Sequence, residues 1–467
     1  MFSADRFSLF VAMLVGLCIA LSAPVALGFF RTQAVERGEF YALIVLSGSG
    51  MLAMAQSTDL FVTFIALEVM SLAIYVLVGF MRHERRGAEG AMKYFLLGAF
   101  SSAFFLYGIA LVYGMTGTTK LDLIAQSVAL NGGLAQNPLM LVGVFLLLGG
   151  FLFKVAAVPF HMWTPDAYQA APSPATGFMA FGVKTAAFAA LLRAFAGPFL
   201  SFKGVGFYEW WSATGEAAQT ASLGWYALVF ATAAVTMLIG NLLALGQTNV
   251  KRLLAYSSIS HAGYLLVGLV TMGIVQDIDG QKVALLTAGS GVLFYLLAYG
   301  FTSLLSFGAL SFMEKRGEDV SDFENLKGAA RRHPAAALAM SVALLSLAGI
   351  PPTGGFFAKM LLFREAIRAG NPELTYLTIF GVLASVIGVY YYLRVIVVMY
   401  MEDPSPEAAR EPVAQRPGFA SFGLFAAAAL VLYLGLFPNR YIELSKSAIL
   451  DMAGLPAPAV VETPTAN

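Results

Sequence analysis

About twelve stretches of this chain are apolar for eighteen residues or more, the length a helix needs to cross the roughly 30 Å hydrocarbon core of a bilayer. They fall near 8–30, 40–57, 59–81, 92–116, 138–163, 174–199, 223–247, 250–273, 283–313, 334–368, 374–400 and 419–440. A soluble core has no use for so many. Only 12% of residues are charged and 59% are hydrophobic, whereas a soluble domain carries about 25% charged residues. The expected fold is an all-α polytopic membrane protein without a separate soluble domain. The first run, Phe7–Phe30, follows Arg6 and contains LSAPVALG. It is longer than the apolar region of a signal peptide and has Asp5 in front of it, so it reads as a spanning helix. The tail from Leu455 is rich in Pro, Ala and Thr and reads as disordered.

Several function classes fall away. Cys18 is the single cysteine, which leaves no disulfide within the chain and no cysteine-based metal centre. The four histidines lack metal-ligand spacing, and no glycine-rich phosphate loop is present. A net charge of +1 gives no hint of nucleic acid. No catalytic, cofactor-binding or metal-binding residue is read in the chain. Lys and Arg are biased toward one side of the bilayer. The side reached after the first span, side B, holds Arg31, Arg37, Arg82, Arg85, Arg86, Lys251, Arg252, Lys315, Arg316, Lys327, Arg331, Arg332, Arg410 and Arg416. The opposite side, side A, holds Arg6, Lys120, Lys203, Lys282, Arg364, Arg368, Arg440 and Lys446. By the positive-inside rule side B is cytoplasmic and both termini lie outside.

Two runs, 138–163 and 334–368, are too long for one span and are interrupted inside. The first break lies at Ala156-Ala157-Val158-Pro159, in FLFKVAAVPFHMWTPDAYQAAPSP, just after Lys154. The second, Gly349-Ile350-Pro351-Pro352-Thr353-Gly354-Gly355, comes just before Lys359. A charged group at bilayer depth costs roughly 2.5–3.5 kcal/mol on insertion scales, and proline removes a backbone donor. Such a helix survives where protein or water satisfies the freed groups. The plainer alternative is a lysine that snorkels and a proline that only kinks. The pattern of the whole chain argues for more. An N-terminal helix (1–39) precedes a five-helix block (40–199); a second five-helix block (223–400) follows, inverted by the odd number of spans, and a C-terminal helix and tail (401–467) close the chain. The fourth helix of each block is the broken one. Interrupted helices at matching positions of two inverted repeats point to a transport path.

Other ionisable groups sit at depth. Glu68 lies well inside its helix; Lys184 is mid-helix; His261 lies on the second-block helix that matches the helix of Glu68. Lys93 is nearer an interface, and Arg394 follows Tyr390-Tyr391-Tyr392, where it reads as an interfacial anchor. A structural salt bridge for Glu68 and a hydrogen-bonded core role for His261 are the competing readings. Buried lysines beside a carboxylate change charge with small movements, and proton relays are built from such groups.

VPFHMWTPDAYQAAPSP, LGQTNVKRLLAYSSISHAGY and LSLAGIPPTGGFFAKMLLF resemble the signature stretches of the antiporter-like membrane subunits of respiratory complex I, NADH–quinone oxidoreductase. The resemblance runs from about Phe7 to Leu444 and is closest in wording to the subunit N branch: the chain ends soon after its last helix, where subunit L carries a long lateral helix, and Lys359 stands where subunit M has glutamate. The resemblance implies a proton-translocating subunit, driven by quinone reduction elsewhere in the complex. It implies Glu68 paired with the central lysine Lys154, Lys184 as the connecting lysine, Lys359 as the terminal one, and Lys93 and His261 as polar groups of the same axis. It also implies that NADH, FMN, iron–sulfur clusters and quinone are bound by other subunits, that the neighbours are subunits M, K and J, and that the location is a bacterial inner membrane. The family fold has fourteen helices. The chain lacks the first two: either the true start lies upstream or this lineage has lost them. An Mrp-type cation/proton antiporter subunit, a membrane subunit of a related hydrogenase and a purely structural spacer are the alternatives.

Overall fold

The computed structural model describes residues 1–454 except 34–37, 82–83, 203, 205–223, 279–280, 285, 315–320 and 405–417. Arg37, Arg82, Lys203, Lys315, Arg316, Arg410, Arg416 and the tail from Leu455 lie outside the described residues. The helices are α1 (Arg6–Thr32), α2 (Gly38–Gln56), α3 (Leu60–Val78), α4 (Arg85–Thr116), the short α5 (Leu121–Leu130), α6 (Pro138–Lys154), α7 (Trp163–Ala170) and α8 (Ser173–Phe195). They continue as α9 (Trp225–Leu245), α10 (Val250–Met272), α11 (Gly289–Met313), α12 (Pro334–Ala348), α13 (Gly354–Arg368), α14 (Pro372–Met401), α15 (Gly418–Leu436) and α16 (Asn439–Met452). Local chemistry sets many of their starts. The Asn137, Asn249 and Asn371 side chains accept from first-turn N–H groups of α6, α10 and α14, and Pro138, Pro334 and Pro372 take first-turn positions that need no donor.

Among the described residues nine helices are long and apolar enough to cross a membrane alone. The other three expected spans are built differently. α6 has 17 residues and α12 has 15. At 1.5 Å per residue each falls short of a bilayer core, and α7 and α13 continue them after a break. α15 carries the twelfth run; its segment Ser421–Leu436 meets α16 at a bend of 86°.

The structure departs from the sequence reading at three places. The run read as a helix over 283–313 starts only at Gly289; before it, Val275–Ile278 and Gln281–Ala284 pair as antiparallel strands. The dipeptide Asp279-Gly280, a common hairpin signal, stands between them in the sequence. The last span ends at Leu436, four residues before the expected end, because Pro438 closes it; α16 follows as a separate helix. It buries Ser445, Ala448, Ile449 and Leu450 and packs against α1 and α11. α5 forms in the connection 117–137.

Contacts at the helix ends fix the relative sides. Phe2 pairs with Ser57, Asp59 with Lys120, and the Arg6 backbone N–H donates to Asp451. Both ends of the described chain therefore lie on side A. Beside them Arg193 donates to both oxygens of Asp5 at 2.8 and 3.0 Å. Burial raises the Asp5 pKa, but Arg193 overrides it and holds the carboxyl well below the usual carboxylate range. On side B, Asn249 pairs with Asp322 and Arg331 with Asp403.

Three helices make the centre. The best spanning windows of α8 and α11 are 100% buried and that of α10 is 94% buried, against 33% for α4 and 39% for α14. A helix covered on all sides needs no apolar stripe, so polar groups on α8, α10 and α11 face protein rather than lipid. Elsewhere glycine permits close approach. A Cβ at Gly50 on α2 would lie 2.5 Å from the Met70 backbone N and 2.8 Å from the Ala66 carbonyl oxygen on α3. Gly50→Val is expected to cost about 1–3 kcal/mol of stability, seen as a lower thermal midpoint in detergent. Gly16→Ala, where nothing lies within 4 Å, is not expected to lower it.

Candidate functional site

At the first break α6 stops at Lys154. Ala157 N–H returns to the Leu152 carbonyl, and Ala156 turns the chain with φ 62°, a left-handed conformation costing roughly 1–2 kcal/mol for a residue with a Cβ. The freed backbone groups find partners. Thr236 on α9 accepts from the Val158 N–H at 2.9 Å, and the Trp163 indole donates to the Phe153 carbonyl at 3.1 Å. This is how a broken helix is tolerated at depth.

The Lys154 ammonium, 2% exposed, donates to Ser71 Oγ at 2.9 Å and Tyr75 OH at 3.4 Å, both on α3. It also faces the rings of Tyr75 and Phe153. Glu68 lies one turn before Ser71 and accepts from Ser102 on α4. Glu68 and Lys154 form no direct ion pair; the Ser71 hydroxyl that accepts from Lys154 donates to the Leu67 carbonyl.

Lys184 follows a π-helical turn, Met179–Val183, within α8. Its ammonium donates to the Ser258 carbonyl at 2.5 Å and to Ser258 Oγ at 2.6 Å, and sits 5.0 Å from the centre of the Tyr299 ring. Lys154, Trp163, Tyr168, Met179 and Lys184 line one small cavity with about 10 Å³ for a water centre, on the order of a single molecule. The two lysines thus face a common one-water space.

The polar chain continues along α10. Ser257, next to Ser258, meets Tyr392 OH at 2.5 Å. His261 sits between Tyr295 OH (2.7 Å, at Nδ1) and Tyr392 OH (3.1 Å, at Nε2). Hydroxyl and imidazole both donate and accept, so this arrangement can reverse its hydrogen bonds without moving heavy atoms. A second cavity of the same size is lined by His261, Tyr295, Thr302, Ser346 and Leu347.

The Leu347 carbonyl is already part of the second break. α12 ends with Gly349 at φ 84°, where glycine carries no Cβ penalty. Ser346 Oγ accepts from Gly355 N–H and meets Thr302 at 3.0 Å. A Cβ at Gly355 would fall 1.9 Å from the Ser346 carbonyl oxygen, so no side chain fits. Lys359 reaches back from α13 and donates to the carbonyls of Leu347 (3.0 Å) and Ala348 (3.1 Å) and to Ser385 Oγ (2.9 Å). Its charge sits on the negative end of the α12 half-helix. Gly354 is buried, while Pro159, Pro351 and Pro352 are exposed.

Lys154, Lys184, His261 and Lys359 therefore share one axis, with Glu68 at its edge. Lys93 lies off it. Its side chain is half exposed and bridges Glu89 at 2.8 Å and Asp166 at 3.0 Å on side B, where Asp166 also binds Arg252. Arg394 is partly buried: it donates to the Leu245 carbonyl and stacks on Phe323. Sequence reasoning missed Ser71, Thr236, Ser258 and Ser385, and the tyrosines around His261. Only the tyrosine run hinted at them: Tyr391 and Tyr392 are buried, and Tyr390 alone is exposed.

Residues 57–388 match the family described as NADH:quinone oxidoreductase/Mrp antiporter, TM. The chain belongs to this family. A relative within it, from Sorangium cellulosum (strain So ce56), is named NADH-quinone oxidoreductase subunit N 1; it is 45% identical over 451 residues, 96% of this chain and 83% of that protein. The structure of respiratory complex I from Thermus thermophilus with bound aureothin contains a chain 34% identical, with TM-score 0.74, matching 95% of this chain and 87% of that one. The Mrp complex from Dietzia sp. DQ12-45-1b matches with TM-score 0.79 over 97% of this chain and 84% of that one. At 24% identity that likeness is one of fold.

Removing the Thr236 hydroxyl tests the first break. Thr236→Val leaves the Val158 N–H buried and unpaired, a loss of about 1–3 kcal/mol. The expected result is a lower thermal midpoint, restored by Thr236→Ser.

Proposed function

We propose that the chain is the subunit N-type, proton-translocating membrane subunit of an NADH:quinone oxidoreductase. Protons cross it by way of Lys154, Lys184, His261 and Lys359, with Glu68 biasing the first. The observation that carries this reading is the axis itself. Three lysine ammonium groups at bilayer depth are joined by hydroxyls, one imidazole and two one-water cavities between two broken helices. The subunit N relative at 45% identity supports the choice of complex.

In this reading the subunit couples quinone reduction elsewhere to proton movement, and NADH, FMN, iron–sulfur clusters and quinone are held by other subunits. Other membrane subunits of the complex are its partners, with subunits M, K and J as its neighbours. The N-terminal helix (1–39) stands outside two inverted five-helix repeats (40–199 and 223–400), followed by the C-terminal part (401–467). Side B is cytoplasmic and the termini are periplasmic, in a bacterial plasma membrane; Arg31, Arg85, Arg86, Lys251, Arg252, Lys327, Arg331 and Arg332 on side B support that orientation.

Each step is a transfer between neutral and charged amines. Lys184 takes a proton through the shared cavity when the environment of Lys154 disfavours the charged form. It passes the proton by way of Ser258, Ser257, Tyr392 and His261 toward the carbonyl-capped site of Lys359. An Mrp-type antiporter is the second reading, supported by the family's description and by the fold likeness to the Mrp complex.

Two measurements decide. A native gel of the membranes, stained for NADH oxidation and probed for this chain, is expected to place it in the stained band; its absence there would refute the complex I reading. Lys154→Ala is expected to abolish proton pumping while the chain remains in that band. Full pumping by this variant would remove Lys154 from the path.

A further inference from the structure

The three central helices meet in two polar layers. The inner layer belongs to the axis: Lys184 on α8, Ser258 on α10 and Tyr299 on α11. The outer layer, nearer side B, is built from the same helices: Ser173 on α8, Lys251 on α10 and Glu314 at the end of α11. Glu314 accepts from Ser173 Oγ and pairs with Lys251 at 3.2 Å. The side chains of Lys251 and Glu314 are 7% and 4% exposed. Between the layers α8 and α11 run antiparallel in close contact, with Gly177 against Phe307 and Phe181 against Gly300. On α10 the layers are seven residues apart, about 10 Å; along α8 they are eleven apart, about 16 Å.

The outer layer is also the floor of a pocket. A space of about 300 Å³ at the side B end is lined by Met81, Arg85, Arg86, Gln169, Lys251 and Glu314, among others. A buried carboxylate thus touches a solvent-sized space on one side and begins the α8–α11 contact on the other. Nothing in the lysine and histidine axis uses it. A buried ion pair made only for stability would gain nothing from a pocket that gives water access to its carboxylate, since such pairs are weak stabilisers to begin with.

We propose that Glu314, with Lys251 as its counter-charge, is the group through which protons from side B water are loaded onto Lys184. This inference rests on the proton-translocating reading above. In the resting state Glu314 is a carboxylate paired with protonated Lys251. A hydronium in the pocket gives its proton to Glu314, leaving water and a neutral carboxyl, and the ion pair loosens. The carboxyl then releases that proton inward along transient water past Tyr168, whose hydroxyl lies 3.5 Å from Ser258 Oγ. Neutral Lys184 becomes an ammonium, and Glu314 returns to a carboxylate and pairs again with Lys251. One proton enters and one proton arrives. Lys184 thereby receives protons from side B as well as through the cavity it shares with Lys154.

Glu314→Gln keeps the shape and an acceptor for Ser173 but cannot cycle a proton. In inside-out vesicles with assembly confirmed by native gel, this variant is expected to pump at below about a tenth of the wild-type rate, the loss typical of removing a proton-transfer group. Glu314→Asp is expected to recover a large part of it. Wild-type pumping by Glu314→Gln would overturn the proposal. Should Glu314→Gln fail to assemble, access to the pocket decides. Met81→Cys in a Cys18→Ser background is treated from the side B face with a bulky, membrane-impermeant thiol reagent. Labelling with loss of pumping supports the proposal; complete labelling without loss, or no labelling, overturns it. Lys154→Ala is measured alongside. If it stops pumping and Glu314→Gln does not, only the loading site fails; if both pump normally, the proton path itself fails.

Discussion

An ammonium group is costly in a low-dielectric interior unless its hydrogen-bonding hydrogens are satisfied, and a carboxylate partner is the usual means. The three lysines of the axis are satisfied without one. Lys154 is held by Ser71 and Tyr75, Lys184 by the carbonyl and hydroxyl of Ser258, and Lys359 by two carbonyls and Ser385. Aromatic faces of Tyr75, Tyr299 and Tyr264 add to this. Neutral partners solvate a charge without neutralising it. They also accept the neutral amine at little extra cost, because a hydroxyl can turn and donate to it. A direct carboxylate contact would bind the ammonium more tightly and make its proton harder to release.

The carboxylates are instead found toward the ends. Asp5 holds Arg193 on side A, while Glu314 holds Lys251 and Asp166 holds Arg252 on side B. Each joins elements far apart in sequence where the helices emerge. The middle is left to amines held by neutral partners. Glu68 departs from this division: it lies within α3 and accepts from Ser102 rather than from Lys154. Its field reaches the lysine without a bond that would lock it.

Much of this was legible in the sequence because lipid imposes a strong rule. Long apolar runs had to be helices, and Pro159 and the Gly349–Gly355 stretch had to interrupt them. Lysines beside those interruptions had to be either interfacial or functional. What stayed hidden has a common cause. Serine, threonine and tyrosine inside a membrane helix give no periodic signal, since α8, α10 and α11 are covered on every side. Nothing in the order of residues shows that Ser258 faces Lys184 or that Thr236 reaches the first break. α16 was hidden for the opposite reason: it is short and amphipathic, so a search for apolar length passes over it. Lys93 sits near a helix start among Glu89, Asp166 and Arg252, and a charge in that position reads the same whether it faces solvent or the interior.

The two breaks use the same parts in opposite order. Lys154 is the last residue of the half-helix before its break, whereas Lys359 lies in the half-helix after its break and reaches back across it. In both cases a lysine lies near the C-terminal end of the leading half-helix, where unpaired carbonyls carry partial negative charge. The difference is in what holds the ammonium. Lys154 leans on the neighbouring helix α3, so a shift of α3, which also carries Glu68, changes its surroundings directly. Lys359 is bonded to the carbonyls of its own broken helix and to Ser385 of α14, so its surroundings change when the two half-helices move relative to each other. The first lysine is thereby sensitive to a neighbour and the second to its own hinge, and between them lie Lys184, a row of hydroxyls, one imidazole and space for two waters.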